Sequence, residues 1–558
     1  MTYVIIQPCC NDASCVSACP VNCIHPTPDE PDFRTAEMLY IDPATCIDCG
    51  ACVEECPVEA IIPDDEIDDA TEPYLQINAD YYTDHDVKGG LVPPHKLPPL
   101  PQDRTLHVAV VGAGPAAFYT AEELVAHSAV SVDMFDRLPT PYGLVRAGVA
   151  PDHPSTKGVE QTFAATANRR NFQYFLNVEV GKHITHDELL KHYSAVVYAV
   201  GASTDKRLDI PGEDLDGSIP ATEFVAWYNG HPDYADLDFD LSSPRAVIVG
   251  NGNVALDCAR ILLADPDSLA RTDIADHAIE RLRASEIREV ILLGRRGIAQ
   301  AAYTNAEFLA MGALPDVDIV IDEGDLTLDT ASADALADGS LDSTLAAKIR
   351  IAREFAERGT TGASKRVVFR YLVSPVEISA DASDGAVSTV RCVRNELVTG
   401  DRVTVTATEE MLDIDTSIIL RAIGYRGLPV PDLPFDDARG VVPNTDGRVL
   451  TAPDGDTVPG VYVTGWIKRG ATGGIGMNRF DGQETARVVL GDFTDGSLAE
   501  PESSRDGVAD LIAGRGANRI DASGWKKIDT AEKSAGRSTG RRRVKLVRTH
   551  ELEGAAAD

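Results

Sequence analysis

Apolar and polar positions divide the chain into stretches with different patterns. From Leu106 onward, apolar runs of strand length alternate with amphipathic helical segments, which predicts parallel α/β units. The first 75 residues form a cysteine-rich unit instead. An acidic, turn-rich stretch and the proline-rich segment 91–104 follow it and predict an extended, semi-rigid linker. Beyond about Pro501 the chain becomes polar and basic, which predicts either a flexible or peripheral extension or a docking segment for a partner.

Composition narrows the class of protein. The formal net charge of -37 on 558 residues argues against nucleic-acid binding, because phosphates would be repelled. No run of about 20 apolar residues is present, so we expect no membrane span. The first residues, MTYVIIQPCC, lack the pattern of a signal peptide, which indicates a cytoplasmic location.

Cysteine spacing is the most specific feature of the first unit. Nine of the 11 cysteines precede residue 57, and they form a repeat. The second copy is Cys46-x2-Cys49-x2-Cys52-x3-Cys56-Pro57, and the first is Cys9-x2-Asp12-x2-Cys15-x3-Cys19-Pro20. In such runs three thiolates bind one iron–sulfur cluster and the fourth reaches the other. A zinc ribbon would have paired CxxC motifs, so zinc is disfavoured.

Aligning the two copies assigns each cysteine. We expect the second cluster to be [4Fe–4S], with the ligands Cys19, Cys46, Cys49 and Cys52. Asp12 occupies the position of a thiolate in the first copy, and a carboxylate is a poorer ligand here. The first cluster should therefore be [3Fe–4S], with the ligands Cys9, Cys15 and Cys56, as in the bacterial seven-iron ferredoxins that this unit resembles. A second [4Fe–4S] cluster with Asp12 or water on its fourth iron is the alternative.

Other positions of this unit match no ligand. Cys10 and Cys23 fall outside the aligned ligand positions and are predicted to be small buried residues. The polar loop 24–39 between the copies is expected to matter little to the chemistry.

The segment 108–118, VAVVGAGPAAF, is an apolar strand that runs into a glycine turn and a helix. Gly112 permits the tight turn, and Gly114 lets the main chain approach a pyrophosphate at the helix N-terminus. The next strand ends at Asp136, about the right distance on to bind an adenosine ribose. This pattern predicts a first dinucleotide site.

A second motif of the same kind lies in the segment 245–262. Its turn contains Gly250, Asn251, Gly252 and Asn253. The strand REVILLG is followed by Arg295 and Arg296. At this position an NAD site would have an acid, whereas the 2′-phosphate of NADPH prefers arginine. The pair therefore favours NADPH over NADH, and two solvated surface arginines are the alternative that the pair alone leaves open.

Several segments together resemble a known family. GPAAFYTAEEL, PYGLVRAGVAPDH and VPGVYVTGWIKRGATGGIG are similar to adrenodoxin reductase and its bacterial NADPH–ferredoxin reductase relatives, over roughly residues 105–500. With the cysteine-rich unit, the chain resembles the fused ferredoxin/ferredoxin–NADP reductases of actinobacteria. The fold class expected is an α+β ferredoxin-like iron–sulfur domain followed by an α/β reductase with two Rossmann-like dinucleotide-binding domains, in glutathione-reductase-like topology.

The resemblance also implies a division into domains. We expect a two-cluster ferredoxin domain, a proline-rich linker, an FAD-binding domain in two parts around an NADPH-binding domain, and a C-terminal extension. The expected boundaries are 1–75 for the ferredoxin domain and 76–104 for the linker. The two FAD-binding parts are 105–203 and 418–500, the NADPH-binding domain between them is 204–417, and the extension is 501–558.

Residue roles follow from the resemblance by position. It implies that FAD contacts the following residues: Ala116, Asp136, Leu144, Val180, Trp466, Gly473, Gly474 and Ile475. His153 would lie near the flavin and interact with Glu307, the acid near the nicotinamide, in a charge-balancing and orienting role. Asp257 is a lesser candidate for the same network. Hydride transfer itself requires no protein acid or base.

These patterns predict an NADPH-dependent reductase that passes electrons from FAD to its own clusters. From there they would reach a one-electron acceptor such as a ferredoxin or a cytochrome P450. Tethering makes the internal transfer possible without a tight docking surface, and the linker would permit some reorientation. The alternatives are an electron-input subunit of a larger complex, similar to the small subunit of glutamate synthase, and a non-catalytic redox sensor.

Overall fold

A computed structural model describes residues 2–85, 87, 97–101, 103–381, 385–398 and 402–557. Half of the predicted proline-rich segment 91–104, residues 91–96 and 102, lies outside the described residues. Among the residues described, no helix has the length and apolar character needed to cross a membrane.

The cysteine-rich unit repeats its backbone as well as its sequence. Left-handed residues Asn11 and Ala13 precede the helix Ser14–Ala18, and Asp48 and Gly50 precede the helix Ala51–Glu55 at an offset of 37 residues. Two antiparallel strand pairs flank these helices. The elements are the strands Tyr3–Ile5 with Ile61–Pro63 and Ile24–His25 with Tyr40–Ile41, and the short helices Pro31–Arg34 and Asp64–Glu66.

The first unit extends beyond its predicted boundary at residue 75. A helix spans Pro73–Asp84 and buries Tyr74, Ile77 and Tyr81, which recur at helical spacing. Its Asn78 side chain accepts hydrogen bonds from Ile5 N and Ile41 N, at 3.2 and 2.9 Å, and so joins two strands. The prediction that the linker begins at 76 is therefore wrong, because this acidic stretch contains an apolar helical face.

A seven-stranded sheet forms the core of the first dinucleotide-binding domain. Its central strand, Leu106–Val111, lies between Val130–Asp136 and Ala195–Tyr198 and is parallel to both. The strand order is Asn444–Thr445, Arg448–Leu450, Thr457–Val463, Ala195–Tyr198, Leu106–Val111, Val130–Asp136, Phe172–Leu176. The associated helices are Pro115–Val125, Leu144–Ala147, Thr156–Val159, Glu160–Ala167, His186–His192, Trp466–Arg469 and Met477–Thr494.

The second dinucleotide-binding domain is built on a six-stranded parallel sheet. The strand order is Ser218–Pro220, Ile418–Arg421, Arg245–Val249, Glu289–Gly294, Lys365–Tyr371, Val317–Ile321. A three-stranded antiparallel sheet follows it: Val373–Ala380, Val387–Val398, Thr404–Asp415. The helices are Ala221–Tyr228, Pro232–Tyr234, Asn253–Leu263, Pro266–Leu269, Asp276–Arg283, Ile298–Gln300, Asn305–Met311, Glu323–Leu326, Thr330–Asp338 and Ser343–Arg358.

The return to the first domain occurs later than residue 418, where it was predicted. The strand Ile418–Arg421 is fully buried and pairs with Arg245–Val249, so it belongs to the second sheet. The crossing between domains is the small pair of strands Thr204–Asp205 and Tyr425–Arg426. The apolar run at 418 fits either sheet, and only the pairing decides between them.

The C-terminal segment packs against both dinucleotide-binding domains, so the prediction of a flexible or peripheral extension is wrong. Its helices are Arg505–Gly507, Val508–Ala513, Ala522–Thr539 and Thr549–Ala557. Glu532 is buried between Arg146 and Arg543, and its carboxylate oxygens lie 2.5 and 2.8 Å from their guanidinium nitrogens. Lys545 is also buried and pairs with Asp273 of the second domain at 3.2 Å. The basic residues of this segment therefore neutralise buried carboxylates.

The cysteine-rich unit contacts both dinucleotide-binding domains directly. Glu37 accepts a hydrogen bond from Asn305 N at 2.7 Å and pairs with Lys348 at 3.1 Å. Asp84 accepts from Ser343 N at 2.6 Å. This arrangement differs from the expected loose tether, and it gives the loop 24–39 an interdomain role that the sequence analysis did not assign.

Replacing Glu532 with Gln should destabilise the protein by about 3–5 kcal/mol, because two buried arginines lose their shared carboxylate. Burial opposes ionisation of Glu532, but Arg146 and Arg543 outweigh it and lower its pKa below 4.5. Its stabilising effect is therefore present above pH 4.5 and is lost as the pH falls through the lower folded-state pKa.

Urea denaturation of E532Q and wild type at pH 7 and below pH 4.5 measures both effects. The exposed Glu502→Gln is the matched control, and equal midpoints for E532Q and wild type would contradict the account.

Candidate functional site

The first glycine turn leaves open space at the end of the central strand. Gly112 has a φ of +110°, and a Cβ there would lie 2.4 Å from Ala199 O. At Gly114 a Cβ would meet no atom within 4 Å. The loop before Leu144 adjoins this turn, because a Cβ on Gly143 would lie 2.9 Å from Gly114 Cα. The turn can therefore admit a pyrophosphate beside the helix N-terminus.

Ala116 and Trp466, two further predicted flavin contacts, lie close together at the start of the same helix. Gly465, which precedes Trp466, packs so closely that a Cβ there would lie 2.6 Å from Ala116 Cβ. The neighbouring Thr464 is buried, and its hydroxyl has no hydrogen-bond partner within the described structure. Trp466 donates from its indole nitrogen to Thr472 O at 3.1 Å. This unpartnered buried hydroxyl and the open turn fit a bound flavin dinucleotide.

The remaining predicted flavin contacts differ in how near they lie to the glycine turn. Val180 packs at the edge of the hydrophobic cluster that contains Val111 and Ile467. Gly473 and Gly474 are exposed, and Ile475 is half-buried. Asp136 accepts hydrogen bonds from Ala113 N and Leu138 N, at 2.7 and 2.8 Å, so its carboxylate also stabilises the glycine turn.

The second glycine turn is linked to the helix that carries Glu307. Gly250 has a φ of +129°, and a Cβ there would lie 2.2 Å from Ala422 O, while a Cβ on Gly252 would meet only Ala302 Cβ, at 3.9 Å. Asn251 O accepts from Tyr303 N at 3.0 Å. The Asn253 side chain accepts from Thr304 N at 2.9 Å. The turn thus holds the segment that precedes Glu307.

Arg295 and Arg296 lie at the end of the strand Glu289–Gly294. Arg295 is exposed and Arg296 is half-buried. Within the described part of the chain, neither guanidinium is paired with a carboxylate. Both are therefore available to an anionic ligand.

The predicted residues His153, Asp257 and Glu307 meet in one polar network, which is centred on an arginine that the sequence analysis did not single out. His153 Nε2 lies 3.8 Å from Glu307 Oε2. Arg260 donates to Asp257 at 2.6 Å and to Glu307 at 3.2 Å. It also donates to Asp152 at 2.5 Å. Arg260 follows Asp257 by three positions on one helix, a spacing that could have indicated it.

Burial and Arg260 together set the protonation of this network. Burial raises the pKa of Asp257 to about 6 and raises that of Glu307, with Arg260 opposing both shifts. Burial and Arg260 lower the pKa of His153, which favours its neutral form. At Asp152 burial opposes ionisation, but Arg260 outweighs it and lowers the pKa.

His153, Asp257 and Glu307 also have the donor set of a divalent cation site, since their ligand atoms lie within 4.8 Å of one another. Arg260 already occupies both carboxylates with its own positive charge. The arrangement therefore favours an orienting network over a metal site.

Gln7, from the cysteine-rich unit, enters this network. Its Nε2 lies 3.0 Å from His153 Nε2 and 3.2 Å from Glu307 Oε1. No local pattern indicates this residue, because its partners lie 146 and 300 positions away in the sequence.

The thiols predicted to bind the second cluster converge. One cavity is lined by Cys19, Cys46, Cys49 and Cys52, and also by Cys23. Cys23 lies 3.4 Å from Cys19, measured between sulfurs. Cys49 is exposed, as is the adjacent Ile47 at 58%. This cavity therefore reaches the surface, and four of its five thiols, the predicted ligands, are the number that a cubane cluster takes.

The thiols predicted to bind the first cluster face the reductase. Cys9 and Cys56 pack against the hydrophobic core of the first dinucleotide-binding domain, together with Ile475. Cys15 is buried within the cysteine-rich unit. Cys10, half-buried rather than buried as predicted, accepts a hydrogen bond from Gly476 N at 2.8 Å. The loop predicted to bind the first cluster therefore touches the segment predicted to bind the flavin.

Asp12 participates in the same interface. Its carboxylate pairs with Arg479 at 3.2 Å and accepts a hydrogen bond from the Ser14 hydroxyl. Arg479 also donates to Asp12 O at 3.0 Å. The residue that replaces a cysteine in the motif thus bonds to the reductase.

Two dinucleotide-binding domains joined to a cysteine-rich unit define an electron-transfer oxidoreductase. Residues 106–296 match the model of the pyridine nucleotide-disulphide oxidoreductase family, and residues 39–62 match that of the 4Fe-4S binding domain. The chain belongs to the ferredoxin/ferredoxin–NADP reductase family. It is 48% identical to the Mycobacterium tuberculosis protein named "Probable ferredoxin/ferredoxin--NADP reductase", over all of this chain and 95% of that one.

Relatives of the reductase part are also similar. The M. tuberculosis NADPH-ferredoxin reductase FprA is 45% identical over 80% of this chain and 98% of its own. The structure of M. tuberculosis FprA in complex with NADPH matches with a TM-score of 0.76 at 44% identity, and it covers 82% of this chain and 100% of that one. The family assignment and the predicted fold class are thereby confirmed.

Proposed function

We propose that this protein is an NADPH-dependent reductase that delivers electrons through its own ferredoxin unit to a one-electron protein acceptor. When bound, FAD accepts a hydride from NADPH, and the iron–sulfur clusters carry electrons singly. The observation that carries the proposal is the hydrogen bond from Gly476 N to Cys10 O at 2.8 Å. It joins the segment assigned to the flavin to the loop of the first cluster.

The positions of the thiols support an order for the two clusters. Cys9 and Cys56 hold the first cluster against the FAD-binding domain, whereas Cys49 holds the second near the surface. Electron tunnelling falls steeply with distance, so the first cluster would accept electrons and the second would release them. The acceptor is a ferredoxin or another one-electron carrier, and cytochrome P450 is a further candidate. Thiols that must remain reduced favour a cytoplasmic location.

The contacts of Asp12 support a three-iron first cluster. Its carboxylate pairs with Arg479 of the reductase and accepts from the nearby Ser14 hydroxyl, so both contacts compete with binding to iron. We therefore assign Cys9, Cys15 and Cys56 as the ligands of a [3Fe–4S] cluster, and Cys19, Cys46, Cys49 and Cys52 as those of a [4Fe–4S] cluster.

The free guanidinium groups of Arg295 and Arg296 support NADPH as the donor. The R295A/R296A variant should lose about 10- to 100-fold in kcat/KM for NADPH and little for NADH, because hydrogen bonds to a charged phosphate are lost. Ferricyanide reduction with each nucleotide measures this. Arg288→Ala, at the opposite end of the same strand, is the control. An equal loss with both nucleotides would contradict the assignment.

Asp12→Cys should convert the first cluster to four irons by supplying the missing thiolate. We expect about seven irons per chain and an EPR signal from the oxidised [3Fe–4S] cluster in the wild type. The variant should have about eight irons and lose that signal. Asp12→Asn, which also weakens the contact with Arg479, controls for the interface and should keep about seven irons. About eight irons in the wild type, with no signal as isolated, would overturn the assignment.

Gly476→Ala tests the route between the two halves. A Cβ on Gly476 would lie 2.2 Å from Cys10 O and 2.3 Å from Asp12 N, so the ferredoxin loop must move away. Flavin reduction by NADPH should continue while cluster reduction slows about tenfold or more. Rapid-mixing absorbance separates the two steps.

The control is Gly491→Ala on the same helix, where a Cβ meets nothing within 4 Å. Unchanged cluster reduction in the Gly476 variant would contradict the proposed route.

A further inference from the structure

His153 and Glu307 do not hydrogen-bond each other. Their closest side-chain atoms lie 3.8 Å apart, beyond the distance of a hydrogen bond. The Gln7 side chain bridges them at 3.0 and 3.2 Å through a single nitrogen. The link between the two reductase residues is therefore supplied by the ferredoxin unit.

The donor capacity of Gln7 specifies the state of both partners. An amide nitrogen has two hydrogens and cannot accept, so it donates one to each partner. His153 Nε2 must then accept, which requires the neutral imidazole protonated on Nδ1. Glu307 Oε1 accepts best as a carboxylate. The amide thus matches one particular pair of protonation states.

A second contact fixes the helix that carries Glu307. Glu37, also from the ferredoxin unit, accepts from Asn305 N at 2.7 Å at the first residue of the helix Asn305–Met311. The same carboxylate pairs with Lys348 at 3.1 Å, and Lys348 is largely buried. The ferredoxin unit therefore holds both the side chain of Glu307 and the start of its helix.

We propose that Gln7 is a positioning residue of the hydride-transfer site, which holds His153 as an Nε2 acceptor and Glu307 as a carboxylate. This inference rests on the proposed function. It extends that function, because the ferredoxin unit then supports the first reaction with NADPH as well as receiving its electrons. FprA aligns with 80% of this chain, which is about the fraction that follows the ferredoxin unit. A reductase without this unit must complete the network in another way.

Other charged groups face His153 and belong to the same electrostatic environment: Arg260, Asp257, Asp152, Lys157 and Glu307. They are unchanged when only Gln7 is substituted. A change in pH dependence on substitution therefore reports the Gln7 hydrogen bonds.

The test is the rate of flavin reduction by NADPH in the full-length holoprotein, measured by rapid mixing across pH. Gln7→Leu, which removes both hydrogen bonds, should slow it about tenfold. Without the donor, both His153 and Glu307 bind a proton more readily. The acid limb of the profile should therefore move to higher pH by about one unit. Gln7→Glu keeps the length but adds negative charge beside Glu307, so its shift should be larger.

The exposed Gln76→Leu, on the same unit, is the matched control and should leave rate and profile unchanged. Iron content and cluster EPR verify that each variant retains its clusters, and Gln7→Glu decides the test if Gln7→Leu loses iron. A slower rate without a shift of the acid limb would overturn the positioning role, as would wild-type behaviour of both Gln7 variants. Failure of the wild type to be reduced by NADPH would instead reject the proposed function.

Discussion

The close approach of two main chains at Gly476 determines how the halves of this molecule meet. Gly476 donates to Cys10 O, and its missing side chain leaves space for the loop Cys10–Asp12. Nearby contacts reinforce the alignment: Arg479 pairs with Asp12, and Phe480 meets Phe33 edge-on at 4.6 Å between ring centroids. Cys9 and Cys56 of the first set of thiols therefore face the reductase, and the second set reaches the surface at Cys49.

Buried cations connect the domains of a strongly acidic chain. Arg260 holds three carboxylates, Arg146 and Arg543 hold Glu532, and Lys157 and Lys545 hold Asp273. Each cluster lies where separate parts of the chain meet. Removing one member of such a group leaves an uncompensated buried charge, so these clusters specify the arrangement of the domains more than they add stability.

Local pattern predicted the parts of the fold and site that depend on neighbouring residues. The cysteine repeat and both glycine turns could be located because spacing alone defines them. The strand Ile418–Arg421 could not be assigned to its sheet, because an apolar run is compatible with either one. The basic C-terminal segment looked peripheral because two of its buried contacts, Lys545 with Asp273 and Glu532 with Arg146, join residues hundreds of positions apart. Gln7 was missed for the same reason, since its role depends on contacts between units.

Electrons should pass from the reductase to the clusters within one chain. Rapid mixing with NADPH at several protein concentrations, followed by cluster absorbance, measures whether they do. We expect a rate of cluster reduction that is independent of protein concentration, because the two halves are already in contact. A rate that rises in proportion to protein concentration would show transfer between molecules and would contradict it.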